Sequence, residues 1–153
     1  MNNPSLKDDY APVTVRFKKL HPEAKPPFRA TEGAAAFDLY AVSMDWDPKN
    51  CVYTYGTGLA FEIPSGYCGL LYPRSSIYKV GQIFPNCVGV IDSDYRGEVS
   101  MKFSYRDDPA SEYRPGDRIG QMVIMPIPAV EYVEADELSK TDRGVGGYGS
   151  TGR

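Results

Sequence analysis

Short runs in which apolar and polar residues alternate are the most regular feature of this chain. The clearest spans 99–105 (VSMKFSY), a second spans 119–125 (IGQMVIM) and a third spans 13–17 (VTVRF). Because successive side chains of a β-strand point to opposite faces, a period of two predicts strands at these three places. Shorter candidate strands lie at 37–41, 52–55, 59–63, 68–72, 88–91 and 130–133.

Turn-forming residues separate these runs. The chain has 15 glycines and 13 prolines, and turn sequences such as those at 64–66 and 114–117 stand between candidate strands. No window shows sustained helical spacing of apolar residues, and only 76–80 and 136–140 have a brief helical pattern. Many short strands at this spacing predict an all-β sandwich, jelly roll or closed barrel.

Length and composition limit the possible functions. The 153 residues predict one domain spanning 1–153, with 1–11 and the final dozen residues mobile. No apolar run is long enough for a bilayer, and three widely spaced cysteines with no charged-then-apolar leader predict a cytoplasmic protein without a membrane partner. The net charge of -3 argues against binding of nucleic acid polymers. One histidine, His21, and scattered cysteines make a tetrahedral zinc site hard to assemble.

The tail at 143–153 (RGVGGYGSTGR) has five glycines and an arginine at each end. Such a segment gains order only when something binds it, and it offers backbone N–H groups, hydroxyls, positive charge and the Tyr148 ring. A nucleoside phosphate fits these donors and this aromatic face. A solvated glycine-rich terminus is the other interpretation.

Four further polar clusters fall at predicted turns or strand ends. Together with the tail they form an ordered set: AAFDLYA at 35–41, PRSS at 73–76, GVIDSDYRGE at 89–98, GDRIGQ at 116–121 and RGVGGYGSTG at 143–152. Each cluster alone is explained by turn chemistry or a surface ion pair. In this order they resemble the five signature motifs of the homotrimeric dUTPases, over most of the chain.

The resemblance implies a fold, a reaction and an assembly. The fold would be a dUTPase-like distorted jelly-roll or β-barrel with a flexible glycine-rich C-terminal tail. The reaction would be Mg2+-dependent hydrolysis of dUTP to dUMP and pyrophosphate, which lowers dUTP and supplies dUMP for dTTP synthesis. A homotrimer would share its active sites: the third motif from one subunit, the phosphate motifs from a second, and residues 141–153 of a third as a lid.

The resemblance also assigns roles to individual residues. Asp92 corresponds to the catalytic carboxylate that activates the attacking water, and Tyr95 to the ring that packs against deoxyribose and excludes a 2′-hydroxyl. Asp38 corresponds to a carboxylate that contacts the magnesium indirectly, through water. Asp117 and Arg118 are interpreted mainly as a turn acid and an ion-pair partner, and secondarily as support for the site. The other implied substrate-binding residues are Arg74, Ser75, Ser76 and Gln121 near the phosphates, Asn86, Gly89, Val90 and Ile91 near uracil, and Arg143, Gly147, Tyr148, Gly149 and Ser150 in the tail.

Some residues depart from the commonest dUTPase pattern. Ser76, Val145 and Tyr148 replace residues more usual in the family, and Arg-Ser-Ser also resembles the related dCTP deaminases. Those deaminases need a glutamate where Lys102 aligns here, and they tend to have Pro-Gly-Phe where this chain has Ser-Asp-Tyr at 93–95. A noncatalytic nucleotide-sensing, protein-binding module on the same fold is the other alternative, and turnover would distinguish it.

Overall fold

Ten antiparallel strands make up most of the regular structure in residues 12–105 and 111–147, the part of the chain that this computed structural model describes. The strands are β1 (Arg16–Lys19), β2 (Phe37–Tyr40), β3 (Asp45–Asp47), β4 (Val52–Gly56), β5 (Leu59–Glu62), β6 (Tyr67–Tyr72), β7 (Gln82–Ile83), β8 (Gly89–Ile91), β9 (Ser100–Tyr105) and β10 (Arg118–Pro126). A 3-10 turn covers Ser75–Lys79. Across these described residues, no helix is long and apolar enough to cross a membrane.

The strands form two four-stranded sheets and one two-stranded sheet. The first large sheet has the order β2-β10-β6-β8, the second has the order β3-β4-β9-β7, and β1 pairs with β5. Both large sheets contribute buried residues to one apolar core, which also includes residues of β5. The largest of these buried apolar residues are Tyr55, Phe103, Leu39, Leu59, Leu71, Met101 and Ile119.

An aromatic layer runs from this core to the outer edge of the second sheet. Tyr55 and Phe103 lie at its buried end, with ring centroids 5.7 Å apart. At its outer end, Trp46 contacts Tyr53 at 4.7 Å and Tyr105 at 5.5 Å between centroids. The Tyr105 hydroxyl donates a hydrogen bond to the Tyr53 hydroxyl at 2.7 Å. Aromatic packing therefore links the exposed strand β3 to the centre of the molecule.

The all-β prediction is confirmed, and most predicted strands agree with observed strands to within one residue at each end. The pattern at 13–17 predicted a longer first strand, but ladder pairing begins only at Arg16. The sequence did not indicate β3 and β7, which have three and two residues. The helical pattern at 76–80 corresponds to the observed 3-10 turn.

Two local predictions are wrong. Residues 130–133 form no strand, and 136–140 form no helix. The apolar side chains of the first segment lie in solvent in the single chain, with Val130, Tyr132 and Val133 at 63%, 96% and 77% exposure. An alternating pattern makes a strand only where a neighbour pairs with it, and no neighbour within the described residues does so. The predicted mobility of 1–11 concerns residues outside those described.

Candidate functional site

Three neighbouring strands of the first sheet position the residues that are predicted to lie near the phosphates. Gln121 in β10 lies opposite Asp38 in β2 on one side and opposite Tyr72 in β6 on the other. Arg74 follows two residues after Tyr72, at the end of β6. Strand pairing therefore brings together three residues that are far apart in the sequence.

The Asp38 carboxylate is held between two arginines. Its Oδ1 accepts a hydrogen bond from Nε of Arg74 at 3.2 Å, and its Oδ2 accepts one from Nη1 of Arg118 at 3.0 Å. The Asp38 side chain is only 14% exposed, so this charge is largely removed from water and needs its partners. Two guanidinium groups around one carboxylate leave an excess of one positive charge, which suits an anionic ligand.

A cavity of about 260 Å3 lies beside this ion-pair cluster, and we name it the phosphate-side cavity after its predicted ligand. Gln121 also lines it, and its Nε2 donates to the Pro73 carbonyl at 3.0 Å. Nη1 of Arg74 donates to Oγ of Ser76 at 3.4 Å, so Ser76 supports Arg74. The lining is Asp38, Arg74, Ser75 and Gln121 with Phe28, Ala30, Ala34, Ala35 and Ala36. The four alanines have small side chains and leave open space beside the charged and hydroxyl groups. A polyanion can bind in this space.

The residues expected near uracil line a second cavity, of about 570 Å3. Strand β8 forms one wall, with Gly89 opposite Leu71 of β6 in the ladder. Lys102 from β9 also lines this cavity, and its Nζ donates to Oγ1 of Thr54 at 2.9 Å. The complete lining is Asn86, Gly89, Val90 and Ile91 with Leu71, Phe84, Pro85, Ser100 and Lys102.

Asp92 and Tyr95 lie in the turn that follows β8. The backbone N–H of Tyr95 donates to the Asp92 carbonyl at 3.2 Å, which closes the turn. The Asp92 side chain is exposed, and Tyr95 is 45% exposed. Neither residue lines the two cavities described above. Within one chain, the predicted catalytic carboxylate is therefore separate from the phosphate-side cavity.

At the beginning of the predicted tail, the hydrogen bonds among the described residues are local. Nε of Arg143 donates to the Gly146 carbonyl at 3.0 Å, and the Gly144 N–H donates to Oγ1 of Thr141 at 3.1 Å. Arg143 and Gly147 line neither cavity. Tyr148, Gly149 and Ser150 lie outside the described residues, so their roles stay predictions.

The residues present fit an indirect rather than a direct contact with magnesium. No group of three or more His, Cys, Asp or Glu side chains in residues 12–105 and 111–147 could enclose a metal ion. Both oxygens of Asp38 already face arginines, which would compete with direct coordination. A carboxylate has about four lone-pair sites, however, and those left over can accept hydrogen bonds from metal-bound water.

Arg118 agrees with its interpretation, whereas Lys102 contributes more than the sequence suggested. Arg118, interpreted as an ion-pair partner that also supports the site, pairs with the second oxygen of Asp38 and lies over the Phe28 ring at 5.9 Å. Lys102, considered only as a difference from the deaminases, lines the second cavity. Its place on the polar face of an alternating strand was the available signal. Asp117 is a turn acid as predicted, accepting the Arg114 N–H at 2.7 Å.

Comparison with known proteins decides the family. The dUTPase family model matches residues 23–152. The chain belongs to the dUTPase family. The fold and family expected from the five motifs are thereby confirmed, and the family is one of nucleotide hydrolases.

Curated relatives from bacteria and a virus extend the match to almost the whole chain. The deoxyuridine 5'-triphosphate nucleotidohydrolase of Nautilia profundicola is 42% identical over 92% of this chain and 100% of its own length. The enzyme of the same name from Corynebacterium diphtheriae is 39% identical, with coverage of 95% and 97%. That of Fowl adenovirus A serotype 1 is 37% identical, with coverage of 97% and 83%.

A solved dUTPase structure shows the same architecture. The Staphylococcus bacteriophage 80alpha dUTPase, solved with dUPNHPP, superposes with a TM-score of 0.79 at 26% identity. The match covers 92% of this chain and 99% of the phage chain. The strand arrangement described above is therefore that of a dUTPase.

Proposed function

We propose that this protein hydrolyses dUTP to dUMP and pyrophosphate, with Mg2+ as its cofactor. The observation that carries the proposal is the grouping of Asp38, Arg74, Ser75 and Gln121 around one cavity in a chain of the dUTPase family. The named activity of the curated relatives supports the same reaction. This activity lowers dUTP and supplies dUMP for dTTP synthesis.

The phosphate-side cavity binds the triphosphate. Arg74 contributes a planar fork of N–H donors, Ser75 a hydroxyl and Gln121 an amide. Asp38 and Ser76 fix the orientation of Arg74, so little conformational freedom remains to be lost when the phosphates bind. Asp38 would accept hydrogen bonds from the water ligands of a magnesium ion, whose charge would neutralise the phosphate oxygens when it is bound.

Asp92 is the general base of the reaction. Its carboxylate takes a proton from water while the water oxygen forms a bond to the α-phosphorus. The bond from the α-phosphorus to the oxygen that bridges to the β-phosphate then breaks, and pyrophosphate leaves with that electron pair. The exposed carboxylate at the end of β8, beside the cavity formed by Val90 and Ile91, supports this role.

The second cavity holds uracil, and Tyr95 packs against the deoxyribose. Gly89, Val90 and Ile91 form β8, the edge strand of its sheet, so their backbone groups can read the donor and acceptor pattern of a base, with Asn86 nearby. In the tail, Arg143 contacts the terminal phosphates and Tyr148 covers the base, with Gly147, Gly149 and Ser150 completing a lid that excludes water.

The environment of Lys102 favours hydrolysis over deamination. Its ammonium group lines the second cavity and is bonded to Thr54, at the position where a dCTP deaminase needs a proton-shuttling glutamate. Product identification from dUTP, dCTP, dTTP and UTP, with magnesium and with a chelator, separates the two reactions. Magnesium-dependent dUMP from dUTP alone supports hydrolysis, whereas dUTP or dUMP formed from dCTP would establish the deaminase.

The active enzyme is a homotrimer with shared sites. In one chain, Asp92 lies outside the phosphate-side cavity, so a complete site needs another subunit. The apolar side chains of 130–133 are exposed in the single chain, as is the whole of strand β1. A neighbouring copy that covers such surfaces would bury apolar area and give the unpaired segment a partner.

The Asp92→Asn variant tests the proposed mechanism. The amide keeps the size of the side chain but accepts no proton, so turnover of dUTP should fall about 100- to 10,000-fold. Binding of dUPNHPP, measured by calorimetry, should be largely retained. Asp94→Asn, in the same exposed turn, is the matched control and should keep its turnover.

Each alternative predicts a different result. Full hydrolysis by Asp92→Asn would exclude Asp92 as the base. Tight binding of dUTP by the unaltered protein without any product would establish the nucleotide sensor instead.

A further inference from the structure

We propose that Gly97 determines sugar specificity by providing the space in which the Tyr95 ring is seated. The inference rests on the proposed role of Tyr95 against the deoxyribose and adds the residues that hold this ring in position. It follows from the contacts of an aromatic side chain that is exposed and nevertheless fixed.

One hydrogen bond fixes the outer end of Tyr95. Its hydroxyl donates to the Glu98 carbonyl at 3.0 Å, while the ring remains 45% exposed. An exposed ring without a tether samples several rotamers, whereas a tethered ring keeps one face available to a ligand. Tyr95 therefore offers a positioned aromatic ring that is still partly open to a ligand.

The carbonyl that receives this bond belongs to a rigid segment. The side chain of Glu98 accepts the Gly58 N–H through Oε1 at 2.7 Å. The next residue, Val99, is buried: its N–H donates to the Leu59 carbonyl at 2.8 Å, and its carbonyl accepts Oγ1 of Thr57 at 2.6 Å. The turn between β4 and β5 thus fixes the backbone to which Tyr95 is tethered.

The absence of a side chain at position 97 makes the tethered position possible. A Cβ built on Gly97 would overlap the Tyr95 hydroxyl and lie 2.6 Å from Cζ and 3.0 Å from Cε2 of the ring. All three of these nearest atoms belong to Tyr95, and Gly97 does not have a positive φ. The backbone can therefore accept alanine, and the Tyr95 ring is the group that must move.

Displacement of the ring has a specific consequence for substrate choice. A 2′-hydroxyl is excluded only while the ring occupies its place, because steric selection depends on a surface that does not yield. Alanine at position 97 breaks the tether and moves that surface. Discrimination between deoxyribose and ribose should therefore fall, although residue 97 itself does not contact the substrate.

The test compares binding of dUPNHPP with binding of its ribonucleotide counterpart, UPNHPP, by calorimetry on the full chain. In Gly97→Ala, the ratio of the two dissociation constants should move toward one by on the order of tenfold. Tyr95→Phe keeps the ring but removes the tether, and should shift the ratio in the same direction by less. Gly33→Ala is the matched control, because Gly33 has no positive φ and no atom within 4 Å of its added Cβ.

A double-mutant cycle shows whether the effect acts through the ring. In a Tyr95→Ala background the ring is absent, so Gly97→Ala should have no further effect on the ratio. An unchanged ratio in a folded Gly97→Ala protein, or an equal effect in both backgrounds, would overturn the inference. Because binding is measured with an imido analogue, a failure of hydrolysis would count against the proposed reaction and leave this comparison intact.

Discussion

At the residue scale, the Asp38 carboxylate and the two arginines around it set the electrostatics of the phosphate-side cavity. Each carboxylate oxygen faces a different guanidinium group, at 3.2 Å for Arg74 and 3.0 Å for Arg118. Without Asp38, two like charges would stand side by side, and Arg74 would lose the contact that orients its fork. In the proposed reaction, Arg118 would act on the phosphates through this arrangement, as a positioning residue.

The Arg118→Lys variant tests that role. Lysine keeps the charge but loses the planar fork, so Asp38 and Arg74 should be less well oriented and kcat/KM for dUTP should fall about tenfold. Arg118→Met, which also removes the charge, should lower kcat/KM further. Arg114→Lys is the matched control, because Arg114 pairs with Glu112 at 2.8 Å outside the cavity. Equal kinetics in the Arg114 and Arg118 variants would contradict the positioning role.

At the scale of secondary structure, the sequence patterns predicted every strand in the described residues except β3 and β7. The pattern at 99–105 became β9 because β4 and β7 pair with it on either side. The shorter pattern at 130–133 failed because the sequence of one strand carries no information about its neighbour. The very short strands β3 and β7 hold too few residues to show a period.

The sequence likewise predicted part of the site. The motifs indicated Asp38, Arg74 and Gln121, and strand pairing brings them together. The bond from Arg118 to Asp38 could not be predicted, because the β2–β10 register shifts between Arg118 and Gly120. Simple alternation therefore does not give the face on which Arg118 lies. The position of the Tyr95 ring could not be predicted either. It depends on contacts with the turn between β4 and β5, which is distant in the sequence.

Segment 130–133 gives a prediction at this scale. Val130 and Tyr132 are exposed in the single chain, so replacing both with aspartate should not disturb the fold of that chain. It should prevent burial of this segment between subunits, so light scattering should show monomer in place of trimer. Glu131→Gln, between the two positions, is the control. A trimer formed by the double variant would show that this segment is not part of the interface.

At the scale of the whole molecule, the structure separates the groups that the proposed reaction uses together. The phosphate-side cavity lies across β2, β10 and β6, the second cavity lies beside β8, and Asp92 projects from the turn that follows β8. The proposed site shared between subunits would bring these groups together.

Subunit complementation measures that sharing. Asp92→Asn and Arg74→Ala should each be inactive alone, but chains unfolded and refolded together should form mixed trimers with some intact sites. We expect dUTP hydrolysis well above the sum of the two separate preparations. A chain carrying both substitutions, refolded with Asp92→Asn, is the control and should remain inactive. If the first mixture were also inactive, Asp92 and Arg74 would act within one chain.

The aromatic contacts of β3 have an optical consequence. Trp46 is the single tryptophan of the chain, and two tyrosine rings lie within 5.5 Å of its ring centre. Light absorbed by these tyrosines will be transferred to the indole while the fold is intact, and emitted by the tyrosines themselves once the rings separate. The ratio of tyrosine to tryptophan emission is thus an intrinsic, label-free signal for unfolding of the second sheet, against which every variant proposed above can be compared.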